Sequence, residues 1–68
     1  MYFGERLRES RMNKKLTQQV LADKINVDLR TYQRYEQGTR EPSFATLVAL
    51  ADILEVTTDY LLGRTDSE

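Results

Sequence analysis

The chain has 68 residues, 40% hydrophobic and 31% charged with a single proline, which describes one small globular domain rather than a disordered segment. It contains neither cysteine nor histidine, which excludes disulfide frameworks, thiolate metal sites and histidine-based catalysis; no metal or cofactor is expected. The net charge is only −1, but residues 1–40 hold nine Lys or Arg against five acids, whereas residues 41–68 hold six acids against Arg64 alone.

That asymmetry suggests one end facing a polyanion and the other facing away, the plainer alternative being a solvated helix surface. The start of the chain, Met1 to Arg6, lacks the apolar run of a signal peptide, and no stretch approaches transmembrane length. A cytosolic setting without membrane contact is the expectation.

Five short helical segments follow one another. The first, over 4–14, has Phe3 and Leu7 at i,i+4 spacing among many charges. The second opens at Thr17, a good N-cap, places Leu21, Ala22 and Ile25 on one face, and stops at Asn26. Asp28 caps the third, over 29–37, which closes at Gly38. Three residues, Asn26-Val27-Asp28, separate these two helices, which is the spacing of a helix-turn-helix. After Pro42, Ser43 caps a fourth helix carrying Leu47, Leu50, Ala51 and Leu54 at the helical period. Thr57 caps a fifth, with Asp59 in its first turn and Gly63 after its end. Nothing alternates with a period of two, so the fold class is all-α. Residues 1–64 are expected to form the domain and 65–68 a short flexible tail.

The third helix divides its faces by chemistry. Leu29, Tyr32 and Tyr35 recur at i,i+3, toward the other helices. Arg30, Gln33, Arg34 and Gln37 gather on the opposite side. An ordinary solvated face mixes Glu and Lys at i,i+4; this stripe has no acid. Arg pairs bidentately with guanine and Gln with adenine in a major groove that admits one helix, so DNA contact is the sharper expectation. Tyr32, Tyr35 and Tyr60 could suggest a platform for single strands, but their helical spacing expects core residues.

Leu16-Thr17-Gln18-Gln19-Val20-Leu21-Ala22, followed by Val27 to Pro42 (VDLRTYQRYEQGTREP), resembles the Cro/repressor-type family, also called the XRE family. The likeness continues through Ser43, Leu47, Leu50-Ala51, Leu54, Val56 and Asp59-Tyr60-Leu61-Leu62-Gly63. It implies a compact five-helix, lambda-repressor-like domain of a bacterial or phage regulator, with helices two and three as the DNA-binding unit. By residue matching, Leu29, Arg30, Gln33 and Arg34 stand at base-reading positions, and Gln18, Thr31 and Arg40 at positions near the DNA backbone. Arg11 and Glu36 match a shared internal ion pair. The resemblance further implies a homodimer on a palindromic operator, formed either in solution or only on DNA, with Thr58, Tyr60 and Leu61 as contact candidates; Tyr60 and Leu61 could instead only close the core.

Lys15 and Glu55 depart from the family's pattern, standing where it usually has Gly in a left-handed cap; each should cost roughly 1 kcal/mol of stability. Ser10 replaces a frequent Leu and should thin the core beside the first helix. Leu29 is apolar at a usually polar position and could either touch a thymine methyl or pack inward.

The leading function is that of a transcription regulator, most simply a repressor. Its rival is a protein-interaction module on the same scaffold, such as an antitoxin, which would present a large exposed apolar patch. Val20, Val48 and Ile53 are the leftover apolar residues expected at the surface. An enzyme is a distant third, because no nucleophile–base pair can be assembled from these residues.

Overall fold

The computed structural model describes residues 2–67, apart from the Tyr2 side chain. The described residues form α1 (Tyr2–Asn13), α2 (Gln18–Lys24), α3 (Leu29–Gln37), α4 (Phe44–Leu54) and α5 (Thr58–Leu61), with no strand among them. The first helix starts two residues earlier than its sequence pattern suggests, because the helical backbone carries Phe3 into the core.

Local chemistry sets most of the boundaries. Thr17, Asp28, Ser43 and Thr57 each take the N-cap of the helix that follows, and each side chain accepts from a backbone N–H three residues on, at 3.0–3.1 Å. The C-termini share a second device. Lys15, Asn26, Gly38, Glu55 and Gly63 have φ between 57° and 81°, in the left-handed region. The N–H after each reaches back five residues: Leu16 to Arg11, Val27 to Ala22, Thr39 to Arg34, Val56 to Ala51 and Arg64 to Asp59. These bonds satisfy carbonyls that the helix itself leaves unpaired. Glycine or asparagine makes three of the stops at little cost, whereas Lys15 and Glu55 adopt the same conformation against their Cβ atoms.

Phe3, Leu7, Leu21, Ala22, Tyr32, Tyr35, Leu50, Ala51, Leu54 and Leu61 form one buried cluster, with Leu16, Ile25, Val27, Leu47, Ile53 and Val56 packed against it. Burying each large side chain contributes about 1.5–3 kcal/mol against the entropy of ordering so short a chain. Tyr32 and Tyr35 meet edge to face, with ring centroids 6.4 Å apart. Helix α1 lies close against the end of α3 because Gly4 has no side chain there; a Cβ would sit 2.2 Å from the Glu36 carbonyl oxygen. Ser10 is buried and its Oγ has no hydrogen-bond partner, beside a cleft of about 260 Å³ lined by Asn13, Lys14, Leu54, Glu55 and Val56.

At the other end, Arg6 holds α5 and the residues after it. Its guanidinium lies 4.3 Å from the Tyr60 ring centroid and donates to the carbonyls of Tyr60 and Thr65 and to the Asp66 carboxylate. The expected tail is thus anchored at Thr65 and Asp66; Glu68 lies outside the described residues.

The expected apolar surface needs correction. Val20 and Val48 are exposed, but Ile53 packs against the core. Phe44 (89% exposed), Met12 and Leu62 join the surface instead. Phe44 stands immediately after the Ser43 cap, in the first turn of α4, where it projects past the edge of the core.

Candidate nucleic-acid interface

Helix α3 is built by its Asp28 cap and its Gly38 stop, and its inward face is anchored by Tyr32 and Tyr35. That anchorage fixes which way the other side chains point. Arg30 and Gln37 are exposed, while Leu29, Thr31, Gln33 and Arg34 are half-buried. Arg40 is exposed in the bend that follows. Arg30, Arg34 and Arg40 form no salt bridge among the described residues, and neither do Arg8, Lys15 and Lys24. The cations that do pair are Arg6, Arg11, Lys14 and Arg64, with Asp66, Glu36, Glu55 and Asp59 respectively.

Behind this face lies a polar cluster in which donors from three residues, Arg11, Gln18 and Tyr32, converge on the Glu36 carboxylate. Arg11 Nε donates to Glu36 Oε2 at 2.7 Å and Arg11 Nη2 to Oε1 at 3.4 Å; their side chains are only 13% and 6% exposed. Arg11 Nη1 donates to the Leu16 carbonyl at 2.8 Å, which ties α1 to the loop before α2. The Tyr32 hydroxyl also donates to Glu36 Oε2, and Gln18 Nε2 to Oε1 at 3.1 Å. Burial alone would push the Glu36 carboxyl up, but the donors Arg11, Tyr32 and Gln18 outweigh it and hold it below the ordinary range. The bond to Glu36 raises the Arg11 guanidinium, and burial raises the Tyr32 phenol.

The structure therefore brings Gln18 and Gln33 together. Gln33 Nε2 donates to Gln18 Oε1 at 3.3 Å, linking the start of α2 to the middle of α3. Arg11 and Glu36 also meet, at the distances above. Arg40 makes no hydrogen bond or salt bridge with the other candidates among the described residues. The three candidates on α5 differ in exposure: Tyr60 and Leu61 are buried within the chain itself, and Thr58 is half-buried.

Sequence reasoning missed two participants in this cluster. Tyr32 reads as a core residue, yet its i,i+4 spacing to Glu36 was a usable signal. The reach of Gln18 to Glu36 has no local signal, because they are 18 positions apart on different helices.

Two helices at this spacing, the second with an anchored inner face and a cationic, acid-free outer one, are the deciding arrangement, and the helix-turn-helix family model matches residues 7–61. The chain belongs to the helix-turn-helix family, Cro/repressor type. Among curated relatives, it is 46% identical over 66 residues to the uncharacterized HTH-type transcriptional regulator YqaE of Bacillus subtilis, a match covering 97% of this chain and 57% of that one. It is 41% identical over 64 residues to the cryptic phage CTXphi transcriptional repressor RstR of Vibrio cholerae, covering 94% and 57%. The chain thus spans a little over half the length of these relatives. Among solved structures, the P22 c2 repressor in complex with a synthetic operator superimposes with a TM-score of 0.83 at 31% identity, over 90% of this chain and 92% of that one. The helix-turn-helix fold is therefore that of a lambda-repressor-like DNA-binding domain.

No helix of the described residues is long and apolar enough to cross a membrane, and they contain no cluster of groups that could hold a metal ion.

Proposed function

We propose that this chain binds double-stranded DNA sequence-specifically, with α3 in the major groove, and regulates transcription as a repressor in a bacterial or phage-infected cytoplasm. The observation that carries the proposal is the outer face of α3. Arg30 and Arg34 form no salt bridge there among the described residues, while the Tyr32, Tyr35 and Glu36 side of the same helix is committed to the core. Arginines kept free of acids are available to guanine edges and phosphates. In this reading Arg30, Gln33 and Arg34 read bases, Leu29 either touches a thymine methyl or supports the packing, and Gln18, Thr31 and Arg40 contact the backbone. Residues 1–64 serve as the binding domain. No enzymatic step belongs to this reading.

One recognition helix offers few base contacts, so two copies on a palindromic site, with half-sites about 34–36 Å apart, are the geometric solution. The surface we assign to the contact is apolar. Phe3, Pro42, Phe44, Leu47 and Leu62 line a groove of about 160 Å³, together with Glu41. The occupant we assign is a second copy, because a projecting ring beside an apolar groove is self-complementary under a two-fold axis. Thr58, half-buried at the start of α5, stays a candidate for the same contact.

Selection from a random pool of duplexes, repeated at two salt concentrations, tests the main reading. A defined motif and an affinity that falls steeply with salt are expected; binding that ignores sequence refutes specific regulation. Titration onto the palindrome and onto its half-site tests the dimer. Steeper binding to the palindrome, flattened in Phe44→Ala, supports it. Equal affinity with one protein per duplex leaves the apolar groove to a different protein, as in an antitoxin.

A further inference from the structure

Building on the DNA-binding reading above, we infer that Gln18 and Glu36 are positioning residues for base recognition: together they turn the Gln33 amide so that it accepts adenine and refuses guanine. The inference starts at a carboxylate with no unoccupied site. Glu36 Oε1 accepts from Gln18 and Arg11, and Oε2 accepts from Arg11 and the Tyr32 hydroxyl. An ionised carboxylate has about four lone-pair positions and can only accept, so all of them are taken and none can donate back. The Glu36 side chain, 6% exposed, is also shielded from exchanging these partners for solvent.

The consequence passes outward through two amides. Because Glu36 can only accept, Gln18 has to turn its NH₂ group inward, which turns its carbonyl oxygen outward. Gln33 Nε2 donates to that oxygen at 3.3 Å. One N–H of Gln33 is thereby occupied. Its carbonyl Oε1 takes no hydrogen bond among the described residues, and one further N–H remains. Gln33 therefore meets the groove with one acceptor and one donor.

That pair is complementary to the adenine edge, where N6–H donates and N7 accepts. Guanine presents two acceptors, O6 and N7, and would need both N–H groups of Gln33 at once. An unrestrained glutamine could turn its amide over to suit either base. Here the turn would break the bond to Gln18, and turning Gln18 as well would set its carbonyl oxygen against the Glu36 carboxylate. Arg30 and Arg34, which carry donors only, are left to recognise guanine. Base preference at one operator position thus originates in a buried acid that touches no base.

The test is selection of binding sites by four proteins from one random duplex pool, with melting temperatures measured in parallel. Gln33→Ala identifies the base position that Gln33 reads, and the wild-type protein is expected to select adenine there. Gln18→Leu is expected to lose the adenine-over-guanine preference several-fold at that position, while positions assigned by Arg34→Ala keep theirs. Gln18→Leu with weaker binding but an unchanged preference overturns the inference and leaves the DNA-binding reading standing. No selected motif from the wild-type protein overturns both. A second measurement needs neither DNA nor a variant. The side-chain NH₂ hydrogens of Gln18 and Gln33 in the free wild-type protein should exchange more slowly than those of exposed Gln37. Equal rates for all three would show that the relay does not hold the amides, and would overturn the inference.

Discussion

The two faces of α3 are made from the same nine residues and treat charge in opposite ways. Inward, Glu36 is surrounded by Arg11, Tyr32 and Gln18, and the Tyr rings fill the core. Outward, Arg30 and Arg34 form no salt bridge among the described residues. An arginine removed from water needs a partner, because its desolvation is otherwise uncompensated. An arginine meant for a polyanion must be left without one. The contrast teaches that the same residue type serves stability on one surface and recognition on the other, according to burial.

The largest effect should come from breaking the inward side. Arg11→Met leaves the Glu36 carboxylate buried without its main partner and is expected to destabilise the fold by about 3–5 kcal/mol, read as a lowered melting temperature. A variant that melts like the parent but loses DNA affinity would instead place Arg11 on the outer, DNA-facing side. Acid attacks the same pair more gently. The folded-state carboxyl of Glu36 is depressed, so its contribution is complete above the ordinary value of 4.5 and is lost as pH falls from there through the folded-state value. Melting temperature should therefore drop on the acid side of 4.5. In Glu36→Gln that drop should be shallower, and an unchanged acid limb would show that other carboxylates control it.

The outward side should respond in binding and not in stability. Arg34→Ala is expected to lose about 1–3 kcal/mol on the preferred duplex and to relax one base position, with the melting temperature nearly unchanged. Arg40→Ala is the control for charge without base reading: it should weaken all sequences alike and lower the salt slope by about one. Equal loss on every sequence for Arg34→Ala would move that residue to the backbone class. The smallest effect lies away from both faces. Lys15 holds a left-handed φ of 57°, so Lys15→Gly should raise stability by about 1 kcal/mol without altering DNA affinity. A loss of affinity there would mean that Lys15 also serves the DNA.

The all-α class and most of the helix ends, though not the start of α1, were legible in the residues, because they depend on contacts a few positions long. Thr17, Asp28, Ser43 and Thr57 cap the helices they precede, and Asn26, Gly38 and Gly63 stop the helices they follow, each through its own side chain or its tolerance of positive φ. The two faces of α3 were legible for the same reason, since Tyr32 and Tyr35 repeat at helical spacing. Tertiary structure decided what depends on separations the chain does not encode locally. Gly4 admits the α3 backbone, Phe44 projects beyond the core, and Tyr60 lies covered by Arg6. Above all, the orientation of the Gln18 and Gln33 amides required three helices to be in place. A hydrogen-bond direction is set by the last partner in the network, here Glu36, and that partner reaches Gln18 only when α2 and α3 have packed together.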